Sequence, residues 1–208
     1  MESREGLLRL LAKSGIEPAS GTAAQMLSYL ALLEKWNRRM NLTGSSSWVH
    51  LEPMFEEGIW AARLYPPGAV MHLDIGSGAG FPAVLIGILV PALQMDLVES
   101  RVKKTVFLET VAAELKLDGM RAYPERLDAH LRHTAKIWDC ITWKGIKLGR
   151  NDLSLLQAHS HPGTQFWMFH GRDLAVEEPE TMGRDFELLR MERFPARRGW
   201  MLSMYRAR

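Results

Sequence analysis

"HLDIGSGAGFPAVLIGIL" (residues 72–89) is the stretch whose reading decides the fold. An apolar run ending in Asp74 reaches glycines at alternate positions, Gly76, Gly78 and Gly80, and then a second apolar run. That order reads as a buried strand, a glycine-rich turn and a helix. Such an arrangement brings backbone N–H groups close to a ligand at a helix N-terminus. The same elements also make a tight turn that binds nothing, so their surroundings have to decide.

Outward from this stretch, strands and helices alternate. Strands are predicted near 70–75, 95–99, 120–123, 138–143 and 165–169, with helices near 80–90, 102–116 and 151–159. Alternation of this kind predicts an α/β protein with a mostly parallel sheet covered on both faces. The runs 186–194 and 200–206, joined by Pro195-Ala-Arg-Arg-Gly, read as a terminal antiparallel hairpin. Ahead of residue 70 the pattern is helical. A leucine-rich segment over 6–16 comes first, then 22–40 with Tyr29, Leu33, Trp36 and Met40 on one face. Asn41-Leu-Thr-Gly-Ser-Ser-Ser breaks the pattern, and a third helix over 48–64 ends at Tyr65-Pro-Pro-Gly. The expected organisation is a helical extension over 1–66 packed as one unit with a domain over 67–208.

The 208 residues are 47% hydrophobic and carry a formal net charge of only +2. The balance excludes a histone-like polycation and leaves room for a local basic face. With Cys140 the only cysteine, an internal disulfide and a zinc site of several thiolates are both excluded. The charged start lacks the apolar centre of a signal peptide, and the longest apolar stretch, 81–93, contains Pro82 and Pro91 and is too short to span a bilayer. A soluble protein of a reducing compartment, the bacterial cytoplasm, is expected.

The glycine spacing is G-x-G-x-G, not the G-x-G-x-x-G of the dinucleotide fingerprint. Glu99 ends the next strand, roughly twenty residues on, where a carboxylate accepts hydrogen bonds from both hydroxyls of a ribose. With no pyrophosphate to cradle, the loop suits a nucleoside with an amino-acid tail, which describes S-adenosylmethionine. Asp74 would hold the methionine ammonium, directly or through water. An NAD-dependent oxidoreductase is the nucleotide-binding alternative that the spacing disfavours. His159-Ser-His161 lacks a third nearby ligand, and no metal is expected.

Four segments, "EKWNRRMNLTG" (34–44), "HLDIGSGAGFP" (72–82), "LVESRVKKTVFLETVAAELKL" (97–117) and "PERLDAH" (124–130), carry a collinear likeness. Together they resemble the bacterial small-subunit (16S) ribosomal RNA guanine-N7 methyltransferases, the glucose-inhibited division protein B family, and this chain looks like a divergent member. The W-N-x-x-x-N-L-T run is the more specific signal, since glycine turns of this kind are widespread. The resemblance implies a class I S-adenosylmethionine-dependent methyltransferase fold, Rossmann-like, with a seven-stranded sheet, a reversed last strand and a helical N-terminus. It implies that Gly76, Ser77, Gly78 and Gly80 line the methionine and ribose, that Glu99 takes the ribose hydroxyls, and that Arg126 and Leu127 frame the adenine. Asn41 and Thr43 would lie near the mouth of the site, with Asn41 and Lys144 the candidate catalytic pair. Read alone, Asn41 and Thr43 make a turn and helix cap, and Leu127 is core.

Three segments depart from the family pattern. The family's His-x-x-Asp-Ser becomes "EPMFEEGIW" (52–60), with Glu57 nearest the aspartate. Its Ser-Arg-Ala after the fourth strand becomes Trp143-Lys144-Gly145, and its Lys-Gly after the fifth becomes His170-Gly171. Lysine lacks the bidentate fork of arginine, and a neutral histidine carries no charge. Guanine N7 offers a lone pair and bears no proton, so its methylation needs no general base. The enzyme's task is positioning and exclusion of water. The expected partner is 16S rRNA or the small subunit, with no membrane partner and a monomeric enzyme. Arg38, Arg39, Arg101, Lys103, Lys104, Lys144, Lys147 and Arg150 would grip the RNA around the strand C-terminal edge. Trp48 and Trp143 would stack on an extruded base, and the arginine-rich tail (Arg184, Arg190, Arg193, Arg197, Arg198, Arg206, Arg208) extends the basic theme. Singly, each basic residue also fits a solvated face and each tryptophan a core. A methyltransferase for another substrate and a non-catalytic cofactor-binding RNA- or ribosome-associated protein are the alternative readings.

Overall fold

Strand β1 (Met71–Ile75) can sit in the middle of a sheet because it presents apolar or hydrogen-bonded side chains to both faces, and it is buried from His72 onward. The computed structural model describes residues 2–171 and 182–208. The further strands are β2 (Gln94–Val98), β3 (Met120–Tyr123), β4 (Cys140–Lys144), β5 (Gln165–Gly171), β6 (Phe186–Arg193) and β7 (Trp200–Ala207). They form one seven-stranded sheet in the order β3-β2-β1-β4-β5-β7-β6. The first five strands are parallel, whereas β7 runs antiparallel to both β5 and β6. From β1 the chain builds outward through β2 and β3, then crosses back to place β4 on the other side. That reversal leaves a crevice at the C-terminal ends of β1 and β4, where open α/β sheets take their ligands.

The helices are α1 (Glu2–Lys13), α2 (Gly21–Asn37), α3 (Trp48–Leu64), α4 (Ala83–Leu89), α5 (Val102–Glu114), α6 (Leu127–His133) and α7 (Arg150–Ala158). Helix α2 begins where Ser20 Oγ accepts the Ala23 N–H at 3.1 Å, and it buries Ala23, Met26, Leu30 and Leu33 at helical spacing. Helices α3 and α4 pack so closely that a Cβ on Gly58 would come within 2.4 Å of the Leu85 side chain. One apolar cluster therefore runs without a seam from Leu7 and Met26 through Leu85 to Phe107 on one side of the sheet. A second, containing Leu131, Trp138 and Leu153, lies under α6 and α7 on the other.

The expected strands and the terminal hairpin all form, with a register shift between Leu188 and Arg190 in the hairpin. Helix α6 goes beyond the sequence reading: LDAHLRH is short, and the proline before it marks a loop. Both tryptophans expected to stack on a base are core residues instead. Trp48 is 7% and Trp143 1% exposed, for such rings stabilise most when their large apolar area is buried. His170, which stands where the family has a lysine, is also buried, with Nε2 against Ser203 Oγ at 2.9 Å. No described helix is long and apolar enough to cross a membrane.

Candidate active site

The turn after β1 takes three left-handed residues, Gly76, Gly78 and Gly80, with φ of 69°, 59° and 92°. Backbone bonds fasten it to β2: Gly76 and Ser77 N–H donate to the Val98 carbonyl at 2.8 and 3.3 Å. Ser77 Oγ closes the turn on the Asp74 carbonyl at 3.0 Å. Two of the glycines serve different ends. A Cβ on Gly80 would meet Val84 at 2.5 Å and the Tyr29 hydroxyl at 3.1 Å, so this glycine exists for close packing. A Cβ on Gly78 would sit at ordinary contact distance, 3.7 Å from the Gly76 carbonyl oxygen and 3.8 Å from Lys104 Nζ, so this position is not closely packed as Gly80 is.

Glu99 follows directly on β2 and is only 7% exposed. Its Oε2 accepts the Gly78 N–H at 2.9 Å and its Oε1 the Arg101 N–H at 2.8 Å. The carboxylate thus joins the glycine turn to the start of α5, and each oxygen keeps a second acceptor site. The Tyr123 carbonyl accepts both the Glu99 N–H at 3.1 Å and the Glu125 N–H at 3.0 Å. This brings the turn that leads into α6 alongside Glu99. Arg126 caps that helix with its side chain exposed, and Leu127, 9% exposed, anchors it in the core.

A chain of hydrogen bonds across β1 and β4 aims Asp74. Thr142 Oγ1 donates to Asp74 Oδ1 at 2.5 Å, and His72 Nε2 lies 3.1 Å from the same hydroxyl. Thr142 has a single proton to donate, so the network assigns the ring proton to Nε2. His72 Nδ1 then accepts from the Tyr65 hydroxyl at 2.7 Å. Burial pushes the His72 pKa down to about 3, which keeps the ring neutral as this chain of bonds requires. Burial also pushes Asp74 up to about 6, against the opposing pull of hydrogen bonds from Thr142 and Ser77 and the charge of Lys144. The other oxygen, Asp74 Oδ2, is buried with no hydrogen-bond partner among the described residues. An unpaired carboxylate oxygen is costly to bury, and a cationic group placed there would satisfy it.

Lys144 closes β4, and its Nζ forms an ion pair with Glu57 of α3, a side chain only 2% exposed. The two residues that replace the family's pattern on different elements therefore meet. The ammonium also lies 5.8 Å from the centroid of the Trp200 ring.

Asn41 belongs to the loop after α2, exposed, with Oδ1 accepting the Gly44 N–H at 2.8 Å. Thr43 Oγ1 donates to the Ser45 carbonyl at 2.8 Å. The sequence reading passed over Asn37, whose Oδ1 accepts the N–H groups of Leu42 and Thr43 at 2.8 and 3.2 Å. An asparagine as the last residue of a helix, just ahead of a turn, was the available signal. Both asparagines of W-N-x-x-x-N-L-T thus fold the loop, and Asn41 does so from an exposed position.

The tail is less of a free basic surface than its composition suggests. Arg190 pairs with Glu192 and Arg206 with Glu187, while Arg197 lies 4.3 Å from the Trp200 ring centroid. The two neighbouring histidines are also engaged: His159 Nδ1 with the Lys136 carbonyl and His161 Nε2 with Asp139, each at 2.9 Å.

The family described as GidB, rRNA small subunit methyltransferase G, matches residues 22–193. A ribosomal RNA small subunit methyltransferase G of Wolinella succinogenes is 30% identical over 171 residues, covering 82% of this chain and 86% of that protein. Its counterpart in Neisseria meningitidis serogroup C is 31% identical over 157 residues, covering 70% and 74%. Among solved structures, the glycopeptide N-methyltransferase MtfA in complex with S-adenosyl-L-methionine aligns with a TM-score of 0.60 at 12% identity. That alignment covers 74% of this chain and 94% of MtfA and is a likeness of fold.

Proposed function

The chain belongs to the rRNA small subunit methyltransferase G family, and on that premise we propose that it transfers a methyl group from S-adenosylmethionine to guanine N7 in 16S rRNA. The observation that carries this reading is the buried, unpartnered Asp74 Oδ2 near the C-terminal end of β1, just ahead of the glycine turn whose Gly78 N–H is held by Glu99. Together they suit a small ligand with a cationic amino-acid end. In this proposal Asp74 takes the ammonium, and Glu99 uses its remaining acceptor sites for the ribose hydroxyls. Gly76, Ser77 and Gly78 supply the wall, and the turn at Arg126 and Leu127 borders the adenine. When bound, the cofactor supplies an electrophilic methyl group on its sulfonium.

What the protein contributes is placement. Guanine N7 presents its lone pair without losing a proton, so no side chain has to act as a base. Lys144, fixed by Glu57, offers one positive charge at the end of β4 that suits an RNA phosphate or an acceptor edge of the base. The small ribosomal subunit is the partner in this reading, and the cytoplasm the compartment. Two measurements test it. Calorimetric titration should show saturable binding of S-adenosylmethionine and none of NAD. Label from the cofactor's methyl group should then enter small-subunit rRNA, and cofactor binding without transfer to RNA would contradict the reaction.

A further inference from the structure

Beyond the site at the strand edge, the molecule carries a second concavity between α2 and α5, with a volume of about 470 Å³. Its floor is apolar and aromatic. Val102 and Val106, one turn apart on α5, are 62% and 43% exposed, and Trp36 of α2 lies beside them on an edge-to-face contact with Phe107 at 5.6 Å. Its rim is cationic. Lys35 and Arg39 come from α2 and the loop after it, Lys103 from α5. Among the described residues, no carboxylate lines it.

Two exposed branched apolar side chains next to a tryptophan, inside a ring of cations, do not describe an ordinary solvated helix face. They match the pairing of a surface for stacked bases with positive charge for phosphates that single-stranded nucleic acid requires. The position agrees. Helix α5 starts after Arg101, whose N–H is bound by Glu99, and Lys104 Nζ of its first turn lies 3.8 Å from where a Cβ on Gly78 would sit. The groove therefore begins within one helical turn of the candidate methyl-transfer site.

We infer that the α2–α5 groove holds a single-stranded segment of the substrate RNA flanking the modified base, with phosphates on Lys35, Arg39 and Lys103 and a base against Trp36, Val102 and Val106. This deepens the proposed function and rests on its reading of RNA as the substrate. It also gives α2 a role that Trp48 and Trp143, buried in the core, cannot fill. The groove is a specificity element: it selects the strand that enters, while the site at Gly78 and Asp74 positions the cofactor.

The test uses the full chain, with 16S rRNA and intact small subunits as probes. Arg39→Glu, Lys103→Glu and Val106→Asp alter groove positions, and Arg4→Glu on α1 makes elsewhere the same charge change as the two cation reversals and a larger one than Val106→Asp. Groove variants should weaken rRNA binding by roughly fivefold or more relative to Arg4→Glu. Each lost phosphate contact should also flatten the slope of log affinity against log salt by about 0.7. Affinity for S-adenosylmethionine should stay as in the wild type. Groove variants that bind rRNA as Arg4→Glu does, while the wild type binds it well, would overturn the groove and leave the RNA reading standing. A wild type that binds no rRNA would overturn both. Variants that lose intact subunits but keep naked rRNA would assign the groove to a ribosomal protein and overturn its assignment to RNA.

Discussion

Replacing Asp74 by asparagine probes the buried carboxylate in two independent ways. Asparagine keeps the carbonyl oxygen that accepts from Thr142 and puts an NH₂ group where Oδ2 lacks a partner, so the shape and that hydrogen bond survive. What disappears is the ionisation. Burial raises the Asp74 pKa to about 6, so the folded protein holds this proton more tightly than the unfolded chain does. Stability from that proton is fully present below the ordinary carboxylate range near pH 4 and is lost as the pH rises through about 6. A rise of roughly two pH units at ~1.4 kcal/mol each makes ~3 kcal/mol. The asparagine does not titrate. The difference in unfolding free energy between the variant and the wild type should therefore move in the variant's favour by ~3 kcal/mol between about pH 4 and pH 8. Urea unfolding at stepped pH measures it, and any constant cost of the buried amide cancels in the pH dependence. The same change removes the partner proposed for the ammonium, which should weaken S-adenosylmethionine binding by ~1.5–3 kcal/mol, the scale of a hydrogen bond to a charged group. A stability difference that is flat across this pH range would refute the buried, ionising Asp74. Undiminished affinity would remove it from the site.

Glu99→Ala takes an acceptor from both Gly78 and Arg101 and the proposed partner from the ribose, so calorimetry should show S-adenosylmethionine affinity down by ~1.5–3 kcal/mol in a folded protein. Thr142→Val preserves shape but strands His72 Nε2 and Asp74 Oδ1 in the core; thermal unfolding should report a loss of ~1–3 kcal/mol. Lys144→Ala leaves the Glu57 carboxylate buried without its partner, at an expected cost of ~3–5 kcal/mol. Adding Glu57→Gln to that variant should recover much of the stability without recovering methyl transfer, and recovery of both would reduce Lys144 to a structural role.

The parallel sheet was legible because its strands are continuous apolar runs punctuated by glycine and proline, and the glycine turn because only glycine takes its left-handed backbone so readily. That Glu99 would meet the glycine turn was legible from its place at a strand end. Asn37 and the bond chain from Tyr65 to Asp74 were not, because a hydrogen-bond partner across 68 residues, as between Thr142 and Asp74, leaves no periodicity to read. Tryptophans and arginines misled for a related reason. Residue type says that Trp143 can stack and Arg206 can grip a phosphate, but packing decides the first and Glu187 engages the second. The Lys144–Glu57 pair lay between these cases. Each residue stood out as a departure from the family's pattern, and only the fold shows that the two departures meet.

Digestion of small-subunit rRNA to nucleosides after incubation with the protein and isotopically labelled S-adenosylmethionine, followed by mass spectrometry, tests the central claim most directly. The account predicts labelled 7-methylguanosine, formed by the wild type and strongly reduced for Asp74→Asn. Label on any other nucleoside, or none in RNA while the cofactor binds, would contradict it.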